Sequence, residues 1–381
     1  MEKSILILTL YDYYNYGTML QAYALKEYIN SLGFKVDMVN YRYKVSLSNR
    51  LYNLFLKAHH SIFAFKRSSK YYYRKKNLSN LNKRKAKFDR FKKNYIECGK
   101  QMNYYNDTIC ELDGEYDIYV VGSDQTWNPS LSTFSLDYFL SFVNRGKRIA
   151  YAPSVGVSKL SEEQKKIFKT YLNNFDFISC RELTGVNILK QCTDKKVYRV
   201  IDPTLLLNHE RWEGFSKTKL KKKPYILEYF LGEDRSQREV VKEFALKNNL
   251  EIVNIGICDI DLMSNSTNCY AGPEEFISLI KDAAFVFTDS FHGTAFSLNL
   301  NTNFYVFYKK NLDGNFVEPS RISDFLDIFG LKNRIISTID DINLNEKIDF
   351  SAVELILEKE RKNSKDYLNL ALGIGDSYGE Y

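Results

Sequence analysis

Residues 4–10 (SILILTL) form a short apolar run between a charged start and a loop rich in tyrosine and asparagine, the pattern of a buried strand. From residue 18 to about 32 the period changes. Met19, Ala22, Tyr23 and Leu25 recur at helical spacing, Gly33 closes the helix, and FKVDMVNY (34–41) returns to an extended pattern. The rhythm repeats in YDIYVV (116–121), KRIAYAP (147–153), FDFISCRE (175–182) and KKVYRVIDP (195–203), with helical stretches at 161–172 and 184–191. Strands alternating with helices predict a mostly parallel, doubly wound sheet.

A charged segment, SKTKLKKKP (216–224), breaks the pattern before a second series begins. PYILEYF (224–230), LEIVNI (250–255), AAFVFTD (283–289) and NFYVFY (303–308) are strand candidates, with helices expected at 235–247, 273–281 and 293–300. An amphipathic stretch at 350–370 has no strand after it and is expected to pack back on the first half. The prediction is an α/β chain of two Rossmann-like, doubly wound domains: 1–208, a linker at 209–223, a second domain at 224–348 and a helix within 349–381. Residues 47–97 lack a clear strand but carry aromatics at helical spacing among lysines, which predicts a helical basic insertion at about 45–100.

Charge sharpens the status of that insertion. The 381 residues carry a net +7, yet residues 42–100 alone hold eighteen Lys or Arg against Asp89 and Glu97, a local +16 that leaves −9 for the rest. A uniformly basic chain is excluded, and with it the simplest case for nucleic acid. The insertion is then either a solvated helical face or a surface for anionic lipid headgroups or a phosphate-bearing substrate. With 44% hydrophobic and 15% aromatic residues the chain has ample apolar surface for packed domains. No run of about eighteen apolar residues and no signal-peptide cleavage pattern is present, so a cytoplasmic protein is expected, with peripheral contact at the inner membrane face through residues 42–100 as the further reading. Six cysteines without a CxxC pair and four histidines without HxH or HExxH spacing make reduced thiols and the absence of a metal centre the expectation.

Ligands of doubly wound sheets sit beyond the carboxyl ends of strands, and five loops have that position. In DYYNYGTM (12–19), Asn15 and Gly17 precede a helix, either as its cap or as a place for an anion or sugar hydroxyl. In VVGSDQTWNP (120–129), Gly122 admits close backbone approach, and Ser123, Asp124 and Gln125 bring hydroxyl, carboxylate and amide. In ISCRELTG (178–185), Arg181 is placed to grip a phosphate or carboxylate, or to pair with a neighbouring acid. In VIDPTLLL (200–207), Asp202 is a turn-former or orients a positive group. FVFTDSFHGTAFSLNL (285–300) is the most informative: a strand ends in Thr288, Asp289 and Ser290, and His292 and Gly293 open an apolar helix. Amides around Phe291–Thr294 would face an anion there, beside an imidazole that titrates near neutrality.

Together NYGTMLQAYAL (15–25), YDIYVVGSDQTWN (116–128), YAPSVG (151–156), ISCRE with the following helix (178–190), VIDPTLLL (200–207), TDSFHGTAFSL (288–298) and SRISDFLDIFGL (320–331) resemble the polysaccharide pyruvyl transferase family, in order and over nearly the whole chain. The resemblance implies a fold similar to two-domain glycosyltransferases of the B type, with the ligand cleft between the halves. It also implies transfer of the enolpyruvyl unit of phosphoenolpyruvate to a sugar, without redox cofactor or metal. His292 matches the motif histidine and would be the general acid, and Arg181 would clamp phosphoenolpyruvate. Some members place an arginine two residues before the histidine. Ser290 stands there in this chain, which leaves anion binding to Ser290, Phe291, His292, Gly293 and Thr294 at the helix start, and to Arg321. Asp124 would act with Ser123, Gln125, Asn15 and Gly17 on a glycan or lipid-linked oligosaccharide acceptor, while Asp202 and Asp289 would support His292 or Arg181. A nucleotide-sugar glycosyltransferase of the same architecture and a non-catalytic glycan-assembly protein are the alternatives, and nucleic acid is not an expected partner.

Overall fold

A computed structural model describes residues 3–11, 13–42, 72–97, 103–105, 108–215, 223–256, 258–263, 267–310, 316–317 and 320–374. The charged segment 216–222 and the part of the insertion at 43–71 lie outside the described residues. Seven parallel strands form the first sheet: β1 (Ser4–Leu8), β2 (Lys35–Arg42), β3 (Asn103–Tyr105), β4 (Ile118–Val121), β5 (Lys147–Ala150), β6 (Phe177–Cys180) and β7 (Val197–Arg199), in the order β3-β2-β1-β4-β5-β6-β7. Six more parallel strands form the second: β8 (Tyr225–Tyr229), β9 (Glu251–Asn254), β10 (Thr267–Asn268), β11 (Phe285–Thr288), β12 (Phe304–Phe307) and β13 (Ile335–Ile336), in the order β10-β9-β8-β11-β12-β13. The α/β class and the paired parallel sheets are those expected from the alternating pattern. Strands β3, β10 and β13 have two or three residues each, too few to show a period, and went unpredicted.

The helices that position the site are α1 (Tyr16–Ser31), α2 (Leu78–Phe91), α3 (Glu162–Leu172), α4 (Leu183–Leu189), α5 (Pro203–Leu206), α6 (Arg235–Asn248), α7 (Pro273–Lys281), α8 (Phe291–Asn299), α9 (Ser320–Ile328) and α10 (Phe350–Leu372). Their starts follow from side-chain caps. Asn15 Oδ1 accepts from Thr18 N at 3.2 Å, and Ser161 and Gln164 form a reciprocal capping box on α3. Ser290 Oγ accepts from Gly293 N at 3.4 Å. That cap starts α8 at Phe291, two residues before the expected Gly293, so His292 lies within its first turn.

Helix α2 joins the halves. Its buried residues Arg84, Phe88 and Phe91 recur at i, i+4 and i+7, one helical face. On the first half, Arg84 Nη2 donates to the Tyr14 carbonyl at 2.9 Å, and Phe88 packs on the Tyr16 ring at 5.1 Å. On the second half, Lys87 Nζ meets Glu275 Oε2 at 2.6 Å and Arg90 lies 3.5 Å from Glu274 on α7. Tyr16 itself stacks on Phe276 of α7 at 4.4 Å and donates to the Ala271 carbonyl at 2.9 Å. Arg84, Lys87 and Lys92 are therefore used inside the molecule and Arg90 pairs across the halves from the surface, while Lys75, Lys76, Lys83, Lys85 and Lys93 face solvent.

Helix α10 runs back over the first half. Tyr367 Oη donates to the Ala150 carbonyl, and Ser364 Oγ accepts from Ile201 N. Arg361, 1% exposed, donates from Nε to the Leu205 carbonyl and from Nη2 to Asn299 Oδ1 at the end of α8. Asn299 Nδ2 in turn donates to the carbonyls of Thr204 and Leu207. One apolar core accordingly runs through both halves, from Ile5 and Leu25 through Leu205 to Phe276, Phe296 and Leu357. Among the described residues, no helix is long and apolar enough to cross a membrane.

Candidate active site

The site forms where β4, β6, β7 and β11 end, as the strand order requires. Asp202 leaves β7 as the N-cap of α5, with Pro203 preset at the first helical position. Its Oδ1 accepts from Thr204 N at 3.0 Å and Thr204 Oγ1 at 2.8 Å. Its Oδ2 accepts from Arg181 Nη1 at 2.7 Å, lies 3.0 Å from Ser123 Oγ, and stands 3.6 Å from His292 Nε2. Burial pushes the Asp202 carboxyl up, but the facing His292 and Arg181 and the Thr204 amide more than reverse this and hold it below the usual carboxylate range. Asp202 is thus a buried anion at neutral pH, tying a cation of the first half to the imidazole of the second.

Arg181 is 6% exposed and only Nη1 is engaged. Its Nε and Nη2 are buried without a hydrogen bond. The guanidinium lies over the Phe291 ring, 4.0 Å from the centroid, and Phe325 packs on that ring at 5.2 Å. Arg321 on α9 makes no hydrogen bond or ion pair with any described residue. Burial, and next the Arg181 charge, lower its pKa against the pull of Glu182 and Asp124. Two guanidinium groups close enough to repel one another, with Arg181 Nε and Nη2 free of hydrogen bonds, suit an anion. Together with Glu182, Asp202, Phe291 and Phe325 they line a cavity of about 160 Å³.

His292 is 7% exposed, and its buried Nε2 has no hydrogen bond. The ring lies against Gly17 of α1, where an added Cβ would stand 2.0 Å from Nδ1 and 2.2 Å from Cγ. Gly17 is therefore a glycine because the imidazole occupies the side-chain space. Gly17→Ala is expected to push the ring off its position and cut kcat about 100-fold, with the circular dichroism spectrum unchanged. A folded variant with wild-type kcat would show that the ring position is immaterial.

The remaining candidates have defined places. Asn15 Oδ1 is occupied as the α1 cap. Asp124, at φ 67°, accepts from Thr18 Oγ1 and from Gln125 N, each at 2.9 Å. Gln125 Oε1 accepts from Asn128 Nδ2 at 2.7 Å. Thr294 Oγ1 donates to the Ser290 carbonyl, and a Cβ on Gly293 would meet Thr288 Oγ1 at 2.5 Å. Asp289 meets neither His292 nor Arg181. Its oxygens accept from Leu231 N at 2.7 Å and Gly232 N at 2.9 Å, fastening the β8 exit loop to the approach of α8. Glu182 was absent from the expected set. Its Oε1 accepts from Ser154 Oγ, Val155 N and Gly156 N at 3.0, 2.8 and 3.2 Å, while its buried Oε2 has no hydrogen bond. The only trace of it in the sequence is its place beside Arg181 at a strand exit. Among the described residues, no three His, Cys, Asp or Glu side chains gather as a metal site.

A second polar cluster supports the Asp289 loop. Asp261 accepts from Arg238 Nε and Nη2 at 2.8 and 2.6 Å, Arg238 Nη2 also donates to the Gly232 carbonyl, and Asn254 Nδ2 donates to Glu228 Oε2. Burial pushes Glu228 up to about 7, Arg238 opposes the shift and Asp261 adds to it. The folded protein then holds a proton that the unfolded chain releases near 4.5. This contribution favours folding at low pH and is lost as pH rises through about 7. Between pH 5 and 8 the wild type is expected to lose about 2–3 kcal/mol relative to Glu228→Gln, and parallel unfolding curves for the two proteins would exclude this.

A family model described as polysaccharide pyruvyl transferase matches residues 15–311. No curated protein matches in sequence. Among solved structures, the UDP co-structure of MnaA from S. aureus aligns with a TM-score of 0.55 at 10% identity, covering 100% of this chain and 99% of that one. UDP-GlcNAc 2-epimerase from Methanocaldococcus jannaschii aligns at 0.52 and 12% identity, over 98% and 100% of the two chains. UDP-N-acetylglucosamine 2-epimerase from Rickettsia bellii aligns at 0.53 and 10%, over 98% and 100%. At these identities the likeness is one of fold.

Proposed function

The chain belongs to the polysaccharide pyruvyl transferase family, and from that premise we propose that it moves the enolpyruvyl unit of phosphoenolpyruvate onto a sugar of a cell-surface polysaccharide or its lipid-linked precursor, forming a pyruvate ketal and releasing phosphate. The observation that carries this reading is the pair of arginines, Arg181 and Arg321, around a small cavity whose wall residue Asp202 stands 3.6 Å from His292 Nε2. Phosphoenolpyruvate brings a phosphate and a carboxylate on three carbons, and two guanidinium groups supply the matching donors. A nucleotide sugar fits less well, since ligands of that size occupy pockets of roughly 300–1,000 Å³ and this one is about 160 Å³.

In this reading Arg181 and Arg321 bind the anionic groups and Phe291 supports the Arg181 guanidinium. His292, whose Nε2 stands 3.6 Å from Asp202 Oδ2, gives a proton to the methylene carbon through Nε2. C2 becomes electrophilic, one acceptor hydroxyl adds, phosphate leaves, and a second hydroxyl closes the ring. Asp124 lies next to these cations and fixes the turn that carries Gln125 towards the acceptor. The test is phosphate release from phosphoenolpyruvate with galactoside and N-acetylmannosamine glycans, run beside nucleotide sugars. Release with a glycan is expected. Turnover of a nucleotide sugar without any phosphate release from phosphoenolpyruvate would overturn the proposal in favour of glycosyl transfer.

A further inference from the structure

Ketal formation needs a base for the attacking hydroxyl. Of the carboxylates lining the cavity, Asp324 is half-buried and accepts from Thr184 N, and Asp327 is exposed and paired with Lys332. The buried carboxylates, with Asp124 nearby, differ in what they have free. Asp202 is engaged through both oxygens by Arg181, Thr204 and Ser123. Asp124 is engaged through both by Thr18 and Gln125. Glu182 is held through one oxygen only. Three donors from residues 154–156 fix Oε1 and so fix the plane of the carboxylate. Oε2 is buried in the cavity wall, 3.9 Å from Arg181 Nε and without a hydrogen bond. A buried acceptor in that state is satisfied by whatever enters carrying a donor. Fully ionised phosphoenolpyruvate carries none, because its phosphate and carboxylate only accept. An acceptor sugar hydroxyl carries one.

We propose that Glu182 is the general base of the transfer, a role that rests on the phosphoenolpyruvate reading. His292 gives a proton to C3 of phosphoenolpyruvate. The first sugar hydroxyl then forms its C–O bond to C2 and passes its proton to Glu182 Oε2. Glu182 returns that proton to the bridging oxygen as the C2–O bond to phosphate breaks. The second hydroxyl closes the ketal and its proton restores His292. Of the two hydroxyl protons, one thus replaces that given to the methyl group and one leaves on phosphate, so both residues end as they began.

Glu182→Gln separates this role from a structural one, because the amide oxygen can still accept from Ser154, Val155 and Gly156 while an NH₂ replaces Oε2. We expect kcat to fall about 100- to 1,000-fold, with phosphoenolpyruvate binding measured by calorimetry within twofold of wild type. The acid limb of the kcat–pH profile should also disappear. A folded Glu182→Gln with wild-type kcat and an unchanged pH profile would overturn the proposal and leave Glu182 as a support for residues 154–156. Should that variant not fold, Glu182→Ser is assayed with and without formate: formate-dependent phosphate release is expected, and its absence overturns the proposal. Wild-type protein that never turns over phosphoenolpyruvate would sink the functional reading itself, an outcome distinct from an active wild type with an indifferent Glu182 variant.

Discussion

His292→Asn is expected to lower kcat for phosphate release about 1,000-fold while phosphoenolpyruvate still binds with nearly wild-type affinity. Asparagine keeps a polar group near the Nδ1 position, against Gly17, but carries no titratable proton to Nε2, the atom 3.6 Å from Asp202. The anion-binding arginines remain in place. A drop in binding equal to the drop in kcat would mean that His292 holds the donor rather than protonating it. Retained turnover would remove it from the chemistry. Because the Asp202 carboxyl is held below the ordinary range, it remains an anion facing the imidazole throughout mildly acidic conditions.

Arg181→Lys is expected to act on the other parameter, raising KM for phosphoenolpyruvate about 100-fold. Lysine can still offer one ammonium to Asp202, which avoids the roughly 3–5 kcal/mol cost of leaving a buried carboxylate without a counter-charge. It cannot reproduce the free Nε and Nη2 donors or the guanidinium contact with Phe291. Two lost hydrogen bonds to a charged ligand, at about 1.5 kcal/mol each, give roughly two powers of ten in affinity. Measurement of KM for phosphoenolpyruvate and for the glycan separately decides the matter. If only the glycan KM moved, Arg181 would belong to the acceptor side. Arg181→Met is a poorer experiment, since it strips Asp202 of its partner and confounds folding with binding.

Much of this molecule was legible in its sequence because apolar runs and helical spacing are local. Residues 285–288 could hardly be anything but a buried strand, and Pro273 and the cap at Ser161 mark helix starts within a residue. Strands of two or three residues, such as Ile335–Ile336, escaped because they exist only by pairing with a neighbour. The same distinction divides the site. Arg181 and His292 stood out as charged or titratable groups at strand exits. Gly17 read as a loop or ligand-facing glycine, and its reason lies 275 positions away in the ring of His292. Glu182 read as the last residue of the strand segment 175–182, since nothing local shows that three donors from residues 154–156 seize one of its oxygens and leave the other free. Asp289 was linked to its nearest neighbours in sequence, whereas the amides that bind it come from the β8 exit loop. The charge of the insertion suggested an outward role for all its cations. Arg84 turned inward onto the Tyr16 ring of the first half, Lys87 onto Glu275 of the second, and Arg90 reaches Glu274 from the surface.

The seat of helix α10 on the first half bears on how the chain matures during synthesis. Residues up to β7 emerge from the ribosome more than 150 residues ahead of Arg361, Ser364 and Tyr367. Through that interval the Ile201 amide and the Leu205 and Ala150 carbonyls lack their final partners, and the apolar surface under Tyr367 and Leu368 stays open. Early local folding can form the sheet, but contacts of such long sequence separation must wait. The newborn first half is therefore a sheet with an uncovered flank, in which Asp202 already has Arg181, Ser123 and Thr204 but the backbone on either side of it, at Ile201 and Leu205, still lacks its partners on the last helix. Acquisition of activity should accordingly coincide with the arrival of the last helix rather than with completion of either sheet.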